Sequence, residues 1–197
     1  MKLLTQHKLA IDKVIKFIEF GEFYLAGGTA VFYYLQHRQS LDLDFFTQKQ
    51  FDFIHHLHYL AKCTILYQSS NTIHINCDNT KISFFYYPYP LLKPTTVLDN
   101  IYLAHLEDVL CMKISAIVNR GSKKDFTDAY FILQHLIYPP SVCIDLFQKK
   151  YGQYNPFVIH KALTYFADAD NEPDLKMIQP IKWNQIKKFF LTEFSKF

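Results

Sequence analysis

Asp42 and Asp44 stand one residue apart in an apolar run, Leu41-Asp42-Leu43-Asp44-Phe45-Phe46. Strand alternation has period two, so it sets both carboxylates on one face and Leu41, Leu43 and Phe45 on the other. Neighbouring carboxylates repel each other, and a divalent cation between them relieves the repulsion. Upstream, the apolar run Phe23–Ala26 leads into Gly27-Gly28-Thr29, where a helix begins. Glycine turns without a Cβ penalty, and exposed N–H groups at a helix start seat a phosphate. The combination predicts a metal-dependent site for a nucleoside triphosphate. Asp42 and Asp44 would be the metal ligands. Gly27, Gly28 and Thr29 would hold the triphosphate tail, the Thr29 hydroxyl donating as well. Arg38 and Ser40 would line the mouth of the pocket. Magnesium (or manganese) suits this sparse set, because it takes its remaining ligands from phosphates and water.

A second group of charges lies in the later half. Lys113 sits on a helix whose apolar face includes Leu106, Leu110, Ile114 and Ile117. Its stem runs along that face. The ammonium either snorkels to solvent or faces the phosphates. Asp125 and Asp128 are three apart and share a helix face that can meet Lys113 across a hairpin. Ser122 with Asp125 resembles a capping box, with Asp where Glu is preferred. Asp128 lies deeper in its helix, where capping explains it less well, so it outranks Asp125 as a site residue. His55, His56 and His58 match no common zinc spacing and read as a helix surface.

The elements that must position these groups follow from periodicity and breakers. Leu3 to Ile18 carries helical spacing and stops at Gly21. After the glycine turn come a helix through Leu35, the acidic strand, and a helix over Phe51–Lys62. Strands over Thr64–Gln68, Thr72–Cys77 and Lys81–Tyr87 follow, the last two joined by Asp78-Asn79. Pro88, Pro90 and Pro94 end the sheet region. Helices over Leu106–Asn119 and Lys123–Leu136 flank Arg120-Gly121-Ser122. Another runs from Pro139-Pro140-Ser141 to Tyr151, and Asn155-Pro156 caps the next. Asp168–Pro180 reads as a polar loop, and Trp183–Phe197 as an amphipathic closing helix. The expected fold class is α+β: an α/β core in 1–100 with a mixed sheet, then a helical region in 101–197.

Composition narrows the function classes. Of 197 residues half are hydrophobic, enough for a full core, and the 19 Phe and 14 Tyr are mostly assigned to it. A formal net charge of +3 permits an RNA or nucleotide partner without demanding one. Arg120, Lys123, Lys124, Lys149, Lys150, Lys182, Lys187 and Lys188 are the cations offered to an RNA backbone. Cys63, Cys77, Cys111 and Cys143 form no Cys-x-x-Cys pair and read as buried thiols of a reducing compartment. The first residues lack a signal-peptide pattern and no stretch is apolar enough to span a bilayer, so the expected location is the cytoplasm, with no membrane partner.

Leu25-Ala26-Gly27-Gly28-Thr29-Ala30, then His37-Arg38-x-Ser40-x-Asp42-Leu43-Asp44-Phe45-Phe46, resemble the AbiEii/AbiGii toxin family of nucleotidyltransferases. So do Glu107-Asp108-Val109-Leu110-x-Met112-Lys113 and Arg120-Gly121-Ser122-Lys123-Lys124-Asp125-Phe126-x-Asp128. The resemblance spans most of the chain in the right order. It implies a polymerase-β-like nucleotidyltransferase fold, and a toxin of a bacterial toxin–antitoxin or phage-defence system. The nucleotide would pass from an NTP to an acceptor hydroxyl, on RNA and foremost tRNA, and a cognate antitoxin would accompany the toxin. Asp42 and Asp44 match the family's metal pair, Gly28-Thr29 its phosphate turn, and Lys113 with the later aspartates its further catalytic motifs. Many polymerase-β-like transferases carry a third carboxylate on a later strand; here Lys81–Tyr87 holds Ser83 and no acid. Either Asp125 or Asp128 substitutes for it, the family works without it, or the chain is a catalytically impaired nucleotide- or partner-binding domain of the same fold. A further alternative is a transferase acting on a small molecule or a protein hydroxyl.

Overall fold

The structure is a computed structural model that describes residues 2–50, 54–152 and 154–194. Two compact units divide the chain. Unit 1 comprises 1–33, 40–90 and 94–105, and unit 2 comprises 34–39, 91–93 and 106–197.

Unit 1 is a mixed seven-stranded sheet with helices α1 (Thr5–Phe20) and α2 (Gly27–Leu35), the latter running on into unit 2 at Tyr34. Its strands are β1 (Tyr24–Ala26), β2 (Leu43–Thr47), β3 (Thr64–Gln68), β4 (Thr72–Cys77), β5 (Thr80–Tyr86), β6 (Thr96–Leu98) and β7 (Ile101–Leu103). They lie in the order β3-β4-β5-β2-β1-β7-β6. β2 runs antiparallel to β1 and parallel to β5, with Asp44 opposite Ala26 on one side and Ser83 on the other. Leu25, Leu43, Phe45, Ile73, Ile75, Ile82 and Phe84 are buried on one face. Phe17 of α1 meets Phe84 edge-on at 4.9 Å, and Phe23 does so at 5.0 Å. Burial of this kind stabilises by about 1.5–3 kcal/mol per large side chain.

Unit 2 holds helices α3 (Leu106–Arg120), α4 (Lys123–Leu136), α5 (Pro140–Tyr151), α6 (Pro156–Leu163), α7 (Ala167–Asp170) and α8 (Trp183–Phe194). Phe126 centres its core, with Phe166, Trp183 and Phe190 rings at 5.0, 6.0 and 5.3 Å. Gly121, at φ +55, makes the left-handed turn between α3 and α4. A buried ion pair of Asp108 with Lys150, 2.7 Å, ties α3 to α5. The same carboxylate accepts hydrogen bonds from the backbone N–H groups of Leu92 and Lys93.

Several expectations change. The sheet does not end at the prolines: β6 and β7 form a hairpin beyond them, and β7 lies parallel to β1. Its turn, Asp99-Asn100, has both φ angles positive, as does Asp78-Asn79. The helix expected over Phe51–Lys62 is a short 3-10 helix, Ile54–Leu60, with 51–53 outside the described residues. The Asp168–Pro180 loop overlaps α7, and the end of the closing helix beyond Phe194 lies outside the described residues. Cys63 and Cys77 are joined as a disulfide across the start of β3 and the end of β4, Cα–Cα 4.7 Å; Cys111 and Cys143 are buried free thiols. The sequence separation of 14 hid the pairing, because only the hairpin brings the two together. No helix of the described residues is long and apolar enough to cross a membrane.

Candidate active site

In unit 1 the glycine corner and the acidic strand meet. Gly27 has φ +66, the left-handed region that glycine enters freely. A Cβ built on it would stand 2.9 Å from an Asp44 carboxylate oxygen. Glycine is therefore required twice over, by conformation and by the close approach of Asp44. α2 begins at Gly27 itself, so Thr29 falls inside its first turn. Thr29 does not cap the helix. Its hydroxyl donates to the Asp42 carbonyl and lies 2.8 Å from the Ser40 hydroxyl. This ties the segment before β2 to the start of α2. The one hydroxyl proton is committed there, which leaves the backbone N–H groups as the donors available to an anion. Asp44 is half-buried on β2, whereas Asp42 is exposed and precedes the strand, which starts at Leu43. Among the described residues no group of three or more His, Cys, Asp or Glu could hold a metal ion. A cation held at Asp42 and Asp44 would have to draw most of its ligands from phosphate and water.

In unit 2, Lys113, Asp125 and Asp128 come together, joined by His37 and by Arg38, Arg120 and Ser122, to which the sequence assigns other roles. Lys113 Nζ lies 3.0 Å from Asp125 and 2.7 Å from Asp128. Arg38 grips Asp128 with a fork, Nε at 2.6 Å and Nη2 at 2.7 Å. His37 Nε2 lies 2.7 Å from the same carboxylate. Arg120 forks onto Asp125 at 2.7 and 3.0 Å. Ser122 donates to Asp125 at 2.6 Å, so the expected capping box is replaced by a bond that feeds the ion cluster. Both carboxylates and His37 are fully buried, with Arg38 7% and Lys113 6% exposed. Arg38 is thus spent on Asp128 and on the Gln39 carbonyl.

The electrostatics follow from this packing. Burial alone would raise the Asp128 carboxyl; Lys113, His37 and Arg38 outweigh it and hold the group far below the usual carboxylate range. Asp125 is lowered in the same way, by Lys113, Arg120 and Ser122 against burial. Burial would lower the Lys113 ammonium, but Asp128 and Asp125 raise it above its ordinary value. All three are charged at neutral pH. An ionised Asp128 already engaged by three cationic or donor side chains is a poor proton acceptor and a good positioning group.

Two of the cations offered to RNA are withdrawn into structure. Lys150 is 2% exposed on Asp108, and Lys123 is 6% exposed, its ammonium donating to the Glu172 carbonyl and lying 3.4 Å from Asp174. Lys123 also lies over the Trp183 ring, beside a cavity of about 390 Å³. His56 stacks on Phe20 at 3.7 Å, as a structural histidine would. His37 and Arg38 stand 91 and 90 residues from Asp128, which is why spacing could not reveal the pairing.

The family model of the nucleotidyl transferase AbiEii toxin of type IV toxin–antitoxin systems matches residues 82–196. An uncharacterised protein of Aquifex aeolicus is 39% identical over 196 residues, covering 96% of this chain and 94% of that protein. Among solved structures, a putative nucleotidyltransferase from Helicobacter pylori has a TM-score of 0.58 at 16% identity, covering 98% of this chain and 95% of that one. MenT4, a nucleotidyltransferase toxin of Mycobacterium tuberculosis, has a TM-score of 0.59 at 12% identity, covering 98% and 84%. These two likenesses are of the fold, an α+β nucleotidyltransferase fold. With the family model matched over more than half its length, the chain belongs to the AbiEii family of nucleotidyltransferase toxins.

Proposed function

We propose that this toxin moves a nucleotide from an NTP to a hydroxyl of RNA, tRNA first among the candidates, with Asp42 and Asp44 holding magnesium or manganese. The observation that supports it is the Asp44 carboxylate packed against the Gly27 corner. That contact puts the carboxylate beside a helix start able to hold phosphate. The acceptor oxygen bonds to the α-phosphorus, the bond to the β-phosphate breaks, pyrophosphate leaves, and the acceptor proton passes to solvent. A bound divalent cation would supply charge stabilisation to the attacking and leaving oxygens. The backbone N–H groups of Gly28 and Thr29 orient the triphosphate, and Ser40 steadies Thr29. Within unit 2, Asp125 and Asp128 fix the Lys113 ammonium, and Arg38 and His37 fix Asp128. A cognate antitoxin is the protein partner this family implies.

Incubation of the full chain with α-labelled triphosphates, magnesium and total cellular RNA tests the reading. Labelled RNA is expected from the wild type and none from Asp42→Ala/Asp44→Ala; equal labelling by that variant would overturn it. One observation favours a second reading, a binding domain without turnover: Ser83 pairs directly with Asp44, where a third carboxylate would sit. Magnesium-dependent triphosphate binding without pyrophosphate release would establish that reading instead.

A further inference from the structure

The two faces of the unit 1 sheet differ. One is the aliphatic and aromatic core; the other carries Asp44 and a row of partly exposed rings. Register pairing runs Asp44 to Ser83, Ser83 to His74, and His74 to Tyr67, so these side chains share one face. At neighbouring strand spacing His74 lies about 10 Å from Asp44, and Tyr67 about 14 Å. A bulge makes this row possible. Ile65 pairs with Ile75 but Tyr67 pairs with His74, so Leu66 is the extra residue. Without it Leu66 would face His74 and Tyr67 would point to the opposite side; bulges commonly re-aim a side chain in this way beside a functional site. The His74 ring lies 5.5 Å from Tyr67 and 5.6 Å from Phe85. Its Nδ1 is buried with no hydrogen-bond partner among the described residues. Tyr67 is 53% exposed, a large aromatic surface on an edge strand. Lys81 alternates onto the same face of β5 and is exposed.

We propose that this face, through Tyr67, His74 and Phe85, is a stacking platform for unpaired bases of the RNA acceptor, with Lys81 meeting a backbone phosphate. The inference rests on the reading of the chain as a transferase to RNA and names how the acceptor is held. The choice of acceptor over nucleotide follows from the side of Asp44 on which the rings lie. The Gly27 corner flanks Asp44 from β1, and Phe85, His74 and Tyr67 flank it from β5, β4 and β3; the ring row continues through Phe46 on β2 to Tyr24 on β1, which is buried. In-line displacement sets the attacking and leaving oxygens on opposite sides of the phosphorus. If the leaving phosphates occupy the glycine corner, the acceptor approaches from the ring side. Aromatic faces suit it because every base has a π-face, and single-stranded RNA is commonly read by stacking on sheet aromatics. Burial and Lys81 lower the His74 imidazole from its ordinary value of 6.5, against the opposing pull of Asp44.

Fluorescence anisotropy of the full chain, without triphosphate, with an RNA hairpin bearing a short unpaired 3′ extension and with the same hairpin blunt-ended, tests this. The wild type should prefer the extended hairpin. Tyr67→Ala and His74→Ala should each weaken that binding about tenfold, Tyr67→Phe should preserve it, and the blunt hairpin should be indifferent to all three. In the transfer assay KM for RNA should rise by the same factor and KM for the triphosphate should not. Wild-type binding by both alanine variants, no preference for the extension, or a raised triphosphate KM in its place would overturn the platform. The two readings fail separately. Ring-dependent binding without nucleotide incorporation sinks the transferase reading and keeps the platform. Incorporation with an unchanged RNA KM in Tyr67→Ala keeps the transferase and sinks the platform.

Discussion

Asp128 shows how far a single residue's environment decides its role. His37, Arg38 and Lys113 converge on its carboxylate at 2.6–2.7 Å, in full burial. Asp128→Asn takes the buried carboxylate from Arg38 and one of the two from Lys113, so it should cost about 3–5 kcal/mol in denaturant unfolding, although the shape barely changes. A variant within about 1 kcal/mol of wild type would mean the cluster is solvated. The pH dependence has a definite sign. Asp125 and Asp128 are depressed, so their stabilisation is complete above the ordinary carboxyl value of 3.8 and fades as pH falls below it. Lys113 is raised, so its contribution is complete below its ordinary 10.5 and is lost as pH climbs beyond. Stability measured against pH should therefore fall away at both ends of that window, with a shallower acid limb in Asp128→Asn. Gly27→Ala tests the other group. The left-handed backbone costs about 1–2 kcal/mol, and the new methyl would push on Asp44. A displacement near 1 Å should lower transfer about a hundred-fold; an unchanged turnover would detach Gly27 from the chemistry. The sequence showed the acid pair, the glycine corner and the lysine–aspartate set, because each is local. The grip of Arg38 and His37 on Asp128 was hidden, since no periodicity links residues about ninety positions apart.

At the scale of elements, strong periodicity made most strands and helices readable: β3 and β4 fall where alternation sets them, and α4 spans its expected residues. The β6–β7 hairpin escaped notice because its strands have three residues each, too few for an alternation pattern, and follow a cluster of prolines. Its Asp99-Asn100 turn was the one available signal, the twin of Asp78-Asn79. The Cys63–Cys77 bridge belongs to this scale as well. It clamps the start of β3, an edge strand exposed along its whole length, to the end of β4. Closing a loop of this size restricts the unfolded chain by about 3 kcal/mol. Reduction should lower the unfolding midpoint correspondingly, and Cys63→Ser should remove the sensitivity to reductant. Thiol titration in denaturant should find Cys111 and Cys143 before reduction and all four cysteines after it. Four reactive thiols in unreduced protein would show that the hairpin holds without the bridge.

For the molecule as a whole, the decisive fact is that unit 2 is assembled from three separate stretches of chain, 34–39, 91–93 and 106–197. A boundary drawn at residue 100 follows the change from strands to helices but leaves the two short stretches with the sheet half. Within unit 2 those stretches supply what its buried charges need. His37 and Arg38 come from the first, and they satisfy Asp128. The backbone N–H groups of Leu92 and Lys93 come from the second, and they satisfy Asp108, itself fully buried. Gln39 N–H also donates to the Lys176 carbonyl, and Ile178 N–H to the His37 carbonyl, which fixes the chain after α7. A fragment of residues 106–197 would keep the helices and lose all of these partners. Asp128 would keep Lys113 and Asp108 would keep Lys150, but each buried carboxylate stripped of its other donors costs about 1–3 kcal/mol, against a total stability of about 5–15 kcal/mol for an ordinary domain. The fragment is therefore expected to have helical circular dichroism but no cooperative thermal transition, and full-length Arg38→Ala to lie between it and the wild type. A fragment melting as sharply as the intact chain would mean that helix packing around Phe126 suffices, and that the two short stretches serve the site alone.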